Sequence, residues 1–153
     1  MTRAFVALGA NLGERERSLE RARASLRRRG ALVLRESSVS ETDPFGVPDQ
    51  PRFLNQVVEV EWPDSPGALL EVARAVEAEV GRRPSYRWGP REIDVDIVLF
   101  GDQVVEAPGL RIPHPGLRER RFVLEPLLEL EPDLRHPATG EGLRSVLDGI
   151  LER

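Results

Sequence analysis

The sequence has 153 residues, 40% hydrophobic and 31% charged, which suits one globular domain with its own core and places all of residues 1–153 in a single unit. The absence of cysteine excludes a disulfide framework, a thiolate metal site and a cysteine nucleophile. All 22 basic residues are arginine, so no lysine serves a Walker loop or a Schiff base, and a net charge of −4 argues against a general nucleic-acid binder.

In chain order, residues 4–8 form a short apolar strand that ends in the turn Gly9-Ala10-Asn11-Leu12-Gly13. Leu12, Leu19, Ala22 and Leu26 then recur at helical spacing. Glu14 and Glu16 stand at the start of this helix, and Arg27, Arg28, Arg29 and Gly30 at its end, as the helix dipole and a glycine cap favour. The arginine triplet is expected to be a solvated helix end. Residues 31–40 read as a second strand, and residues 41–51, with Pro44, Gly46, Pro48 and Pro51, as a long loop of the kind that carries function.

Residues 53–62 alternate, with Leu54, Val58, Val60 and Trp62 on a dry face and Phe53, Asn55, Glu59 and Glu61 on a wet one. Ser65 and Pro66 open a helix whose apolar stripe is Leu69, Ala73, Val76 and Val80. After an arginine-rich loop, the next strand turns Ile93, Val95, Ile97 and Leu99 one way and Asp94 and Asp96 the other. The order βαββαβ predicts a ferredoxin-like α/β (α+β) fold, an antiparallel sheet with two helices on one face. Residues 102–121 read as irregular. Short helices over 126–130 and 143–151 are expected to cover part of the second face. No apolar run approaches the roughly 20 residues that cross a bilayer, and MTRAFVALGAN lacks a signal-peptide layout, so a cytoplasmic protein with no membrane partner is expected.

Two residues apart on a strand, Asp94 and Asp96 hold their Cα atoms about 6 to 7 Å apart and point the same way. Carboxylates so placed suit magnesium, which prefers carboxylate, water and phosphate oxygens; the same pattern also fits an acidic patch on a solvated face. Arg82, Arg83, Arg87 and Arg91 immediately precede the pair, and guanidinium forks suit phosphate oxygens. With Trp88 in the same loop, the neighbourhood points to a polyphosphate. His114, between prolines and near Arg118, Arg120 and Arg121, is either a donor to a phosphate or a packed turn residue. Phe53 and Asn55, beside the loop carrying Thr42 and Phe45, could hold a flat heterocycle by stacking and edge hydrogen bonds. Phe122 is a second plate or a core residue.

With these residues assembled, the sequence resembles the 6-hydroxymethyl-7,8-dihydropterin pyrophosphokinases of folate biosynthesis. The resemblance rests on ALGANLG, TDPFGVPDQPRFLNQ, RWGPREIDVDIVLFG and IPHPGLRERRFVLEPLLEL. It implies an α/β/α sandwich, MgATP as co-substrate, two Mg²⁺ ions, and transfer of the β,γ-diphosphate to a pterin hydroxymethyl group with release of AMP. By position, Asp94 and Asp96 would bind both ions, and Arg82 and Arg91 would reach the phosphates. His114 and Arg120 would also bind phosphate, while Glu77, Arg87, Trp88 and Ile97 would lie around the nucleotide. Thr42, Phe45, Phe53, Asn55, Asp94 and Phe122 would hold the pterin. The sequence departs from the familiar bacterial pattern at Asp43, Phe53, Arg111 and Pro115. It also departs at Arg74, which stands where a glutamine touches the nucleotide.

The expected partners are thus two small molecules, with no nucleic acid and a monomeric enzyme. Two other readings use the same features. A ferredoxin-like nucleotidyl transferase or cyclase would also use strand aspartates with MgATP, and a non-catalytic binding module would show no turnover.

Overall fold

The computed structural model describes residues 1–11, 13–42, 52–81 and 93–152. Its elements are β1 (Thr2–Ala10), α1 (Arg15–Arg28), β2 (Leu32–Glu36), β3 (Ser40–Thr42), β4 (Phe53–Trp62), α2 (Pro66–Val80), β5 (Asp94–Phe100), β6 (Val105–Ala107), β7 (Leu110–Ile112), a 3-10 turn (Leu117–Glu119), α3 (Arg121–Leu130) and α4 (Leu143–Leu151). The main sheet runs β2-β4-β1-β5, with β3 also paired to β4, and all its pairings are antiparallel. This is the ferredoxin-like order that the βαββαβ pattern predicts.

Local chemistry sets the ends of the helices. Ser65 Oγ accepts the Ala68 N–H at 3.1 Å, and Pro66 fills the first helical position, where a missing N–H costs nothing. At the end of α1, Gly30 adopts a φ of 94°, which lets the Ala31 N–H reach back to the Leu26 carbonyl at 3.0 Å.

The sheet separates two cores. On one face α1 and α2 bury Leu19, Leu26, Leu69 and Val76 against Val6, Leu8, Val58, Val60 and Val95. On the other, the 3-10 turn, α3 and α4 bury Leu117, Leu124, Leu127 and Leu143 against Phe5, Val57, Val98 and Leu99. Each fully buried leucine contributes about 1.5 to 3 kcal/mol, so neither layer is an optional decoration.

Several sequence expectations need correction. The second strand is divided into β2 and β3, and residues 105–112, read as irregular, form the β6–β7 hairpin. The helix read as 126–130 begins at Arg121, with Pro126 inside it. The wet face of β4 is largely dry: Val57 and Glu59 are buried because α3 packs across that strand. Leu99 does not share a face with Val95. A register shift pairs Phe5 with Leu99 but Val6 with Ile97, so Val98 is bulged, Leu99 joins the second core and Phe100 the first. The arginine triplet is not simply solvated either, since Arg28 and Arg29 pair with Glu79 at 2.7 and 3.8 Å and Arg27 pairs with Glu36 at 3.1 Å.

Candidate active site

Among the described residues, the second face of the sheet carries Asn55, Asp94 and Asp96, three of the polar residues that sequence singled out. Register places Ser40, Asn55, Gly9 and Asp94 in one row across β3, β4, β1 and β5. The next row holds Val57, Ala7 and Asp96, and Thr42 lies opposite Phe53. Asn55 and Asp94 are two strand spacings apart, about 10 Å between backbones. Gly9 lies between them and Ala7 between Val57 and Asp96, both partly exposed and almost without side chains, so the face has a trough with a carboxylate bank and an amide bank. A Cβ on Gly9 would meet Asn55 Oδ1 at 3.6 Å and would begin to fill it. Sequence assigns Gly9 to a turn and Ala7 to the apolar strand, whereas β1 runs through both to Ala10, so neither was expected to floor a site.

On the amide bank, Asn55 is buried and its Nδ2 donates to Thr42 Oγ1 at 2.7 Å. Phe53, half-buried, stands beside it on the same face. On the carboxylate bank Asp94 is exposed and the Asp96 side chain is 36% exposed. Two hard carboxylates on one face match magnesium, whose remaining positions go to water and phosphate oxygens. Among the described residues no group of three or more His, Cys, Asp or Glu is placed to hold a metal ion.

The segment after β7 returns to this bank. The His114 N–H donates to the Val98 carbonyl at 3.0 Å, which docks the histidine beside the aspartate strand. Its Nδ1 accepts the Gly116 N–H at 3.0 Å, so the neutral ring carries its proton on Nε2. Burial, and then the charge of Arg120, push its pKa below the ordinary histidine value against a smaller opposing pull from Asp96. His114 therefore offers a neutral N–H donor near the carboxylates. Arg120 lies over the Phe122 ring, 5.9 Å from its centroid, and passes so close to Gly116 that a Cβ there would fall 2.6 Å from its Nε. Phe122 itself is half-buried against the second core.

Two more residues that the resemblance puts around the nucleotide are Ile97 and Glu77. The Ile97 side chain enters the first core, on the side away from Asp94 and Asp96. Glu77 is buried and its Oε2 accepts the Val95 N–H at 3.0 Å. Phe45, Arg82, Arg83, Arg87, Trp88 and Arg91 lie outside the described residues.

The chain matches the family model described as 7,8-dihydro-6-hydroxymethylpterin-pyrophosphokinase (HPPK) over residues 5–132. It is similar to the 2-amino-4-hydroxy-6-hydroxymethyldihydropteridine pyrophosphokinase of Bacillus subtilis, 44% identical over 147 residues that cover 92% of this chain and 88% of that one. The enzyme of the same name from Pseudomonas aeruginosa is 42% identical over 136 residues, covering 88% and 84%. Among solved structures, a Plasmodium falciparum HPPK-DHPS superposes with a TM-score of 0.81 at 15% identity over 99% of this chain, which spans 44% of that one. An HPPK-DHPS in complex with substrates gives 0.76 at 13% identity, over 99% and 43% of the two chains. The chain thus spans under half the length of these two-part proteins, and at such identity they speak for the fold.

Proposed function

The chain belongs to the 7,8-dihydro-6-hydroxymethylpterin-pyrophosphokinase family, and from that premise we propose the parts its residues take in the reaction. It is a diphosphotransferase of folate biosynthesis, transferring the pyrophosphoryl group of ATP to hydroxymethyldihydropterin. In this transfer the pterin hydroxyl oxygen bonds to the β-phosphorus, the bond between the α,β-bridging oxygen and the β-phosphorus breaks, AMP leaves with that oxygen and the hydroxyl proton is released. The single observation that carries our assignment is the shared face, on which Asn55 and Asp94 flank Gly9 in one row and Asp96 follows in the next.

Asn55, oriented by Thr42, reads the polar edge of the pterin, and Phe53 and Phe122, with Phe45 from the sequence, supply its apolar contacts. Asp94 and Asp96 hold two Mg²⁺ ions, which when bound neutralise phosphate charge and orient the diphosphate. His114 Nε2–H and Arg120 donate to phosphate oxygens from the same bank. Arg82 and Arg91, assigned by sequence position, neutralise phosphate charge and position the reactants, and Arg87 and Trp88 attend the nucleotide. Attack is in line and needs no covalent enzyme intermediate, because positioning and charge neutralisation carry phosphoryl transfer. Asp96 accepts the hydroxyl proton transiently.

We assign residues 1–153 to one pyrophosphokinase domain acting as a cytoplasmic monomer; among the described residues no helix is long and apolar enough to cross a membrane. The test is to incubate the protein with MgATP with and without hydroxymethyldihydropterin. AMP should form only with the pterin, and Asp96→Ala should lose turnover by several orders of magnitude. AMP release without pterin would favour a nucleotidyl-transfer enzyme, and near-normal turnover of Asp96→Ala would remove the metal assignment.

A further inference from the structure

The carboxylate bank lies on an edge strand. Among the described residues β5 ends the sheet, and no described strand pairs with the outward backbone groups of Val95. Helix α2 supplies the partners instead: Glu77 Oε2 accepts the Val95 N–H at 3.0 Å, and Arg74 Nη2 donates to the Val95 carbonyl at 3.3 Å. Arg74 and Glu77 are also joined to each other through Nη1 and Oε1. The two side chains thus imitate a neighbouring strand at one residue, which sits between Asp94 and Asp96 in sequence. The same Arg74 Nη2 stands 3.7 Å from Asp96 Oδ1.

From this geometry we infer that Arg74 is a positioning residue that holds Asp96 before the metal arrives, and that the guanidinium and a divalent cation compete for that carboxylate. The inference rests on the proposed metal role of Asp96. One nitrogen of Arg74 is shared between the Val95 carbonyl and Asp96, so the arginine is registered on the edge strand by a neutral bond and can give up the carboxylate without leaving its place. The Arg74 side chain is 47% exposed and Asp96 36%, so water screens the pair and its hold is weak enough to yield to a doubly charged ion. The consequence is a site whose carboxylate is kept from swinging free in the empty enzyme, at the expense of some intrinsic metal affinity.

The measurement is Mn²⁺ binding to the nucleotide-free protein, followed by the electron-paramagnetic resonance signal of free Mn²⁺. Arg74→Gln keeps an amide donor for the Val95 carbonyl but removes the charge, and should bind Mn²⁺ about two- to fivefold more tightly, the span that a partly exposed ion pair is worth. Arg74→Lys should stay near the wild type. Arg144→Gln, which removes a charge from an exposed position on α4, should not reproduce the gain. Equal affinity in wild type and Arg74→Gln, or an equal gain in Arg144→Gln, would overturn the inference. In those cases the metal assignment still stands if Asp96→Asn weakens binding. Mn²⁺ binding indifferent to Asp96→Asn overturns both.

Discussion

Asn55 and Thr42 form the polar contact of the trough's amide bank: Nδ2 donates to Oγ1 at 2.7 Å, diagonally across the β3–β4 pairing. The amide belongs to β4, at the middle of the sheet, whereas its orienting partner belongs to a three-residue strand. Orientation and rigidity therefore come from different elements. Thr42→Val keeps the shape but removes the acceptor, leaving the Asn55 amide free to rotate. We expect KM for the pterin to rise by up to about tenfold, the worth of one hydrogen bond, with KM for ATP nearly unchanged, as steady-state kinetics with each substrate varied will show.

His114 tests the proposed phosphate contact on the carboxylate bank. Because Nδ1 is occupied by the Gly116 N–H, the useful donor is Nε2, and glutamine can present an N–H at a similar reach. His114→Ala should raise KM for ATP by about tenfold, and His114→Gln by less. Burial and Arg120 lower the histidine pKa, so the ring is already neutral at pH 7 and protonates only as pH falls through that depressed value. The ratio of KM for ATP between His114→Gln and wild type should therefore be flat from pH 7 to 9. A ratio that changes across that range would deny the neutral-donor role.

Arg35 tests how the second layer is fastened. It donates to both oxygens of buried Glu59, at 2.8 and 3.3 Å, and to the Leu130 carbonyl at the end of α3. Glu129 accepts from the Ser38 N–H and hydroxyl at 3.0 and 2.8 Å, so the C-terminus of α3 is tied down twice. Arg35→Ala leaves the Glu59 carboxylate, 5% exposed, without its guanidinium. We expect a loss of about 2 kcal/mol in urea unfolding, less than for a fully buried pair because Arg35 itself is 42% exposed.

Glu79 gives a pH signature. Hydrogen bonds from Arg28 and then Ser25 lower its pKa from 4.5 to about 2. A carboxylate depressed in the folded state stabilises it above the unfolded value, and that contribution is lost as pH falls from about 4.5 toward 2. The melting temperature of Glu79→Gln should lie at most a few degrees below wild type at pH 7, since the pair is at the surface, and the gap should close on acidification through that window. A gap that persists at pH 2 would locate the stabilisation elsewhere.

Much of this protein is legible in one dimension because its strands and helices have clean periods. The alternation of Phe53 to Trp62 places Asn55 on a face, and the stripe from Leu69 to Val80 with Ser65, Pro66 and Gly81 bounds α2 almost to the residue. The pairing of Asp94 with Asp96 needs nothing beyond the two-residue repeat of a strand. By contrast, the apolar run Ile97-Val98-Leu99-Phe100 has no period, so the bulge that redirects Leu99 left no mark in the sequence. The start of α3 was equally silent, since Arg120 provides no side-chain cap and Pro126, a residue favoured in first turns, lies inside the helix.

Sequence by itself determined the family, the main strands, the first two helices and the residues we propose for ATP and pterin, because periodicity and motif are local properties. Tertiary structure decided what no local pattern encodes. It set the row that aligns Asn55, Gly9 and Asp94, docked His114 onto Val98, and laid α3 over the face of β4 that alternation had marked as wet. It also brought Arg74 of α2 to the open edge of β5 and within reach of Asp96. Each of these depends on the register between strands and the packing of layers, where residues far apart in the chain become neighbours only after the core has closed.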